Sequence, residues 1–221
     1  MATGAAYRRL DAPGLDELVG AGVFYGAAVS EARAMTGSQV FVVGAGNSAG
    51  QAALHLARYA EHVTILARGE ELGRTMSDYL VKELQANATI TVRLGTQVVA
   101  AGGAGRLQQL TLHHAHTGHT ETVPARALFI LIGAQPRTEW LAGTLARDQH
   151  GFILTGPDLL QEDSQPPPGW PLDRLPLLLE TSLPGVFAAG DVRHQSIKRV
   201  ASAVGEGSVA IQQVHQYLTS G

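Results

Sequence analysis

Apolar residues in this chain fall into short runs broken by glycine-rich or polar turns, and the period of the runs changes along the chain. Val40-Phe41-Val42-Val43 is continuous, as suits a strand buried on both faces. Behind it Ala49, Ala53, Leu56, Ala57 and Ala60 recur at helical spacing, and Val63-Thr64-Ile65-Leu66-Ala67 is a second strand. Met76, Tyr79, Leu80 and Leu84 mark another helix, reaching Ala86 with Lys82 and Glu83 outward, and Thr89 to Leu94 a third strand. Segments 96–101, 106–114 and 121–124 predict a β-meander turning at Gly102-Gly103 and Thr117-Gly118. Ala127 to Ile132 is again a buried strand. A helix through Met35, beneath the Val40 strand, strands at His150 to Thr155 and Val186 to Ala189, and a helix from Lys198 to about Leu218 complete the set. Residues 156–176 carry Pro166-Pro167-Pro168 among other prolines and read as a long loop without chemistry of their own. The predicted fold class is α/β: a Rossmann-like parallel sheet with a meander, followed by a second unit.

The strand at Val40 runs into Gly44-Ala45-Gly46-Asn47-Ser48-Ala49, a G-x-G-x-x-A turn at the start of a helix. With the strand on either side this makes a βαβ unit of about 30 residues. In such a unit Gly44 makes the tight turn, Gly46 admits a pyrophosphate, and Ala49 lets helix and strand pack closely. The helix N-terminus, with Asn47 and Ser48, supplies donors and positive potential. The tip of the second strand selects the dinucleotide. An acid there, about 20 residues after the first glycine, would take the ribose 2′-hydroxyl of NAD. This chain has Ala67-Arg68-Gly69 with Arg74 beyond, so two arginines stand where a 2′-phosphate would need them, though Glu70 and Glu71 follow closely. The reading is NADPH.

At 221 residues with 45% apolar content, the chain can bury a sizeable core in one or two domains. Net charge is −3 with the signs interspersed, which argues against nucleic-acid and anionic-membrane partners. No run approaches the roughly 18 apolar residues of a spanning helix. Met1-Ala2-Thr3-Gly4 does not read as a signal peptide, and the expectation is a cytoplasmic protein. There is no cysteine, so no disulfide, cysteine metal site or dithiol chemistry is carried here. His113, His114, His116 and His119 crowd one hairpin tip, but no cysteine or well-placed carboxylate completes a ligand set, and they read as polar turn residues.

Four stretches together resemble the thioredoxin-reductase-like members of the pyridine nucleotide-disulfide oxidoreductases. Ala2-Thr3-Gly4 resembles the motif at which that family's chain leaves its FAD domain; the glycine turn at Gly44 follows; Gly133-Ala134-Gln135-Pro136-Arg137-Thr138 is similar to the return crossing; and Thr181 to Val192 ends in Gly190-Asp191. The resemblance runs from about residue 2 to 218. It implies residues 1–9 as a stub of the FAD domain, 10–132 as the NADPH-binding domain and 133–221 as the C-terminal part of the FAD domain, the N-terminal FAD-binding segment being absent. It also implies FAD and NADPH as cofactors. Gly133 belongs to the crossing, Asp191 to the ribityl and phosphate side of FAD, and Lys198, Arg199 and Val200 open a helix aimed at the flavin ring. Where the family has its redox C-x-x-C, this sequence has Gly26 and Val29, so electrons cannot pass to thioredoxin by thiol–disulfide exchange. The implied activity is hydride transfer from NADPH to FAD and on to an unknown electron acceptor, a homodimer being left open. Two alternatives stay open: a nucleotide-binding domain without turnover, and a flavin-based redox sensor or regulatory subunit.

Overall fold

The computed structural model describes residues 1–26 and 31–219. Contacts divide the chain into two compact units, residues 7–133 and residues 1–6 with 134–221. In chain order the elements are β1 (Ala5–Tyr7), β2 (Val23–Tyr25), β3 (Gln39–Val43), α1 (Asn47–Leu56), β4 (His62–Leu66), α2 (Asp78–Ala86), β5 (Ile90–Arg93), β6 (Thr96–Gly102), β7 (Gln109–His114), β8 (Thr120–Pro124), β9 (Ala127–Ile130), β10 (Ala134–Pro136) and α3 (Val200–Thr219).

In the unit 7–133 a five-stranded parallel sheet runs in the order β2-β9-β3-β4-β5. The continuous apolar runs are explained by burial on both faces. Val40, Val42, Val63, Ile65, Ala127 and Phe129 face α1 and α2, where Ala49, Ala53, Leu56, Leu80 and Leu84 close one core. Phe41, Leu66, Leu128 and Ile130 point the other way, onto Leu107, Leu110 and Leu112 of the meander side. Phe129 stacks on Phe24 with ring centroids 5.2 Å apart. The meander pairs β6-β7-β8 antiparallel, with a register irregularity between Val98 and Ala100. The helix expected through Met35 is a single 3₁₀ turn, Ala32–Met35, after which Gly37 leaves with φ +65°; residues 27–30 lie outside the described residues.

The second unit is held differently. Among the described residues its apolar cluster is small: Leu141, Leu145, Ile153, Ala188 and Val192 are buried in it, with Met1 and Val186 packed against them. The strands expected at 150–155 and 186–189 are reduced to single bridges, Ile153 with Arg147 and Arg193, and Phe187 with Glu180. The partners of each segment are scattered over several stretches rather than one strand: Ile153 N–H donates to Val192 and Leu154 N–H to Ala146, while Ala189 N–H donates to Met1 at 2.9 Å and Ala188 N–H to Leu179 at 2.9 Å. Three carboxylates do the pinning instead. Glu206, from α3, accepts from Arg193 Nη2 at 2.8 Å, Ser196 Oγ at 3.0 Å and Gly190 N–H at 2.6 Å. Glu180, fully buried, takes both Arg174 nitrogens (2.6 and 2.9 Å) and the Leu177 and Gly185 amides. Asp148 accepts from the amides of His150 and Phe152 and pairs with His194 Nδ1 at 2.9 Å. Arg174 also lies over the Trp170 and Tyr217 rings, which ties the proline-rich loop to α3. No helix of the described residues is long and apolar enough to cross a membrane.

Burial pushes each of these carboxyls up, but the donors around it outweigh burial and hold Glu206, Glu180 and Asp148 below the ordinary carboxylate range. Because the folded values are depressed, the stabilisation is complete above the unfolded-chain values of about 4 and is lost as pH falls through the lower folded ones. Acid unfolding of this unit is therefore expected to set in below about pH 4. Glu206→Gln removes one of the three charges and should cost about 2–3 kcal/mol at pH 7, with a shallower pH slope. Both tryptophans, Trp140 and Trp170, lie in this unit, so urea titrations followed by tryptophan fluorescence at pH 7 and pH 3 read it selectively. An unchanged midpoint and slope would contradict the pinning role.

Candidate dinucleotide sites

The glycine turn at the end of β3 is set by crowding on one side and openness on the other. Gly44 has φ +147°, and a Cβ there would lie 2.5 Å from the Leu131 carbonyl oxygen and 3.0 Å from the Ala49 Cβ. No side chain fits, and Ala49, fully buried, is as large as position 49 allows. Gly46 is the opposite case. It precedes α1 in an extended conformation with φ −93°, and a Cβ would meet nothing nearer than the Thr75 carbonyl oxygen at 3.8 Å. Nothing in the chain itself crowds position 46, and the ground over the start of α1 is open. No side chain caps this helix, so its first amides are left for another acceptor. The residues present fit a pyrophosphate, with Ser48 and the Asn47 carboxamide exposed beside it.

Asn47 has a second task that the sequence did not announce. Its Oδ1 accepts from the Ser77 N–H at 2.8 Å and the Ser77 hydroxyl at 3.0 Å, while the Thr75 hydroxyl donates to the Ala45 carbonyl at 2.8 Å. These bonds strap the 68–77 segment, which carries Arg68 and Arg74, to the glycine turn. Ala67 is buried and Arg68 is the first exposed residue past β4; Arg74 is exposed as well. Among the described residues neither guanidinium has a carboxylate partner.

In the other unit Gly190 starts a 3₁₀ turn, Gly190–Val192, with φ +77°, and a Cβ would press the Ala203 Cβ at 3.2 Å. Asp191 is half-buried and borders a cleft of about 380 Å³ with Ala2, Gly4, Arg199, Val200 and Val204. Lys198 and Arg199 precede α3 rather than opening it, because the helix begins at Val200. Lys198 sits on the Phe152 ring, its Nζ 4.2 Å from the centroid, and burial pulls the ammonium below the usual lysine range despite Asp191 and Glu206 nearby. Val200 is 83% exposed. Gly133, exposed with φ +96°, serves the turn out of β9, and its carbonyl accepts from Arg8 N–H at 3.0 Å. A second hollow, about 540 Å³, lies against Thr3, Gln135, Arg137, Thr138, Glu139 and Trp140. Glu206 is the residue that sequence reasoning missed. Its signal was present, since it is the lone charged side chain in the twenty-residue helix Val200–Thr219.

Position 26 is shaped for glycine. Its φ is +89° and a Cβ would lie 2.8 Å from the Tyr7 ring. Val29, the other place of the expected redox pair, lies outside the described residues. The hairpin histidines are partly engaged: His114 Nε2 and Arg93 share Glu121, and His114 stacks on His119.

The family profile described as pyridine nucleotide-disulphide oxidoreductase matches residues 1–207. The chain is 30% identical over 224 residues to a thioredoxin reductase of Peptoclostridium acidaminophilum, covering 99% of this chain and 64% of that protein. It is 32% identical to the NADPH-dependent thioredoxin reductase 3 of Arabidopsis thaliana, covering 38% of it. Among solved structures, thioredoxin reductase from Giardia duodenalis superposes with a TM-score of 0.79 at 30% identity, over 99% of this chain and 64% of that one. The Streptococcus pyogenes MGAS5005 enzyme gives 0.78 at 29%, over 100% and 65%. The chain thus spans less than two thirds of the length of these relatives. With nearly its whole length matched, it belongs to the pyridine nucleotide-disulphide oxidoreductase family, on its thioredoxin-reductase-like side.

Proposed function

We propose that the unit 7–133 binds NADPH at the start of α1, and that the chain serves hydride transfer from NADPH to FAD. The observation that carries this reading is the contrast at the glycine turn: a side chain on Gly44 would strike the Leu131 carbonyl, while the space over Gly46 at the uncapped start of α1 is open. Gly44, Gly46 and Ala49 would shape the turn, the amides at Asn47 and Ser48 would take the pyrophosphate, and Arg68 with Arg74 the 2′-phosphate. On this reading 10–132 is the NADPH-binding domain, 133–221 the later part of the FAD domain and 1–9 its stub. Gly190, Asp191 and Arg199, which border the 380 Å³ cleft, would meet the ribityl and phosphate side of FAD. FAD, when bound, supplies the electron-accepting ring chemistry; these residues hold and orient it. Lys198 is committed to Phe152, and its part would be to fix the approach to α3 rather than to touch the flavin. The onward acceptor is reached without a dithiol of this chain, because the chain has no cysteine.

Arg68→Ala is expected to weaken NADPH roughly 10- to 100-fold and leave NADH within about twofold, measured by calorimetry on the full chain. Equal affinities of the unaltered protein for the two nucleotides would overturn the NADPH assignment. For the flavin, the purified protein is expected to reduce a one-electron dye from NADPH only when FAD is supplied, and not to reduce thioredoxin by itself. Thioredoxin turnover with no other protein present would contradict the reading of position 26. Absence of any flavin binding or NADPH oxidation with added FAD would favour nucleotide binding without turnover.

A further inference from the structure

The backbone stitches the tip of the β7–β8 hairpin to the turn that carries Arg68. Gly95 N–H donates to the Gly69 carbonyl at 3.0 Å, Thr96 N–H to Ala67 at 3.0 Å, and Ala115 N–H to Gly95 at 2.8 Å. This run of bonds brings His116 over Gly95. A Cβ at 95 would come within 2.7 Å of the His116 ring, and with φ +57° the residue there is glycine on both counts. From that seat His116 Nε2 faces Glu70 Oε1 at 3.9 Å, two residues beyond Arg68. Glu70 is the acid that blurred the sequence argument for NADPH, since a carboxylate beside a 2′-phosphate repels it. The remaining charged groups around the ring divide cleanly. Arg93 and His114 both engage Glu121, and His119 stacks on His114. Arg68 and Glu71 stand exposed on the turn itself.

We propose that His116, carried on the hairpin that Gly95 admits, is a second determinant of 2′-phosphate recognition: it engages the Glu70 carboxylate and so keeps that acid from competing beside Arg68. The chemical class recognised is a 2′-phosphorylated adenosine, and the inference rests on the dinucleotide reading above. With His116 against it, Glu70 is engaged and the 2′-phosphate is favoured; without His116, Glu70 stands free beside Arg68 and the preference for NADPH over NADH narrows.

The experiment is calorimetry of NADPH and NADH on the full chain at low ionic strength, where exposed charges are least screened. It compares the unaltered protein, His116→Ala, His116→Lys, Glu70→Gln and Arg68→Ala. His116→Ala is expected to weaken NADPH roughly threefold to fivefold, with no effect on NADH. His116→Lys, which can still engage Glu70, should keep the preference, and Glu70→Gln should tighten NADPH. An equal loss for NADH, or no rescue by His116→Lys, would show a merely structural role and overturn the proposal. If Arg68→Ala abolishes the preference while the His116 and Glu70 variants leave it untouched, this inference falls alone. If the unaltered protein shows no preference for NADPH, both readings fall together.

Discussion

Leu131, just past the end of β9, places its carbonyl oxygen 2.5 Å from where a side chain on Gly44 would begin, and much of the first unit follows from that closeness. β3 is the middle strand, between β9 and β4, and the chain must leave it without striking the segment that follows β9. A glycine at φ +147° allows that exit, and a methyl group at Ala49 is the largest neighbour it tolerates. With α1 held that close, Gly50 meets Met76 of the segment leading into α2, where an added Cβ would stand 3.0 Å from the Met76 sulfur. Strand spacing, helix seating and the open floor at Gly46 are one geometric solution. A larger residue at 44 would disturb all three together.

The two units solve stability by different means. Residues 7–133 bury continuous apolar strands from both sides, so their order is secured by non-directional contact over a large area. The later unit has five residues in its apolar cluster and depends on carboxylates whose every oxygen is engaged. Directional bonds of this kind fix a turn such as Gly190–Val192 in one shape. They also make it sensitive to protonation, which apolar packing is not. The outer side of α3 contributes no fully buried residue, and its single charge is turned inward to Arg193.

Much of the first unit could be read from the chain alone, because its elements announce themselves locally. Apolar runs of four or five residues and helical spacing behind a glycine turn found β3, α1, β4, α2, β5 and the meander within a few residues. The second unit was less legible. Val186 to Ala189 has a strand's composition, yet a strand exists only with a continuous partner, and Met1, Leu179 and Thr181 offer it scattered bonds instead. That same segment is buried at Phe187, Ala188 and Ala189 rather than left as an open edge. At the site, the glycines and Arg68 were visible because motif spacing encodes them. Asn47 as a strap to Ser77, Glu206 as the holder of Gly190, and His116 beside Glu70 were not. Each is a contact across 16 to 46 residues made by a side chain that is unremarkable in its own neighbourhood.

The proline-rich excursion has a property that follows from how Glu180 is used. The chain departs at Gly156, whose N–H donates to the Glu180 carbonyl at 2.9 Å, and comes back at Arg174, whose guanidinium grips the Glu180 carboxylate. Entry and exit are therefore anchored on a single residue, and the path between them closes on itself. For such a closed path the entropy of tethering grows only with the logarithm of length, about 0.6 kcal/mol for each doubling. Leu159 is buried and Trp170 is held by Arg174, so the stretch between them, residues 160–169, is where the path can change length while both anchors stay. A port for inserted sequence is thus built into the fold, its entropic cost set by length rather than by position along the chain.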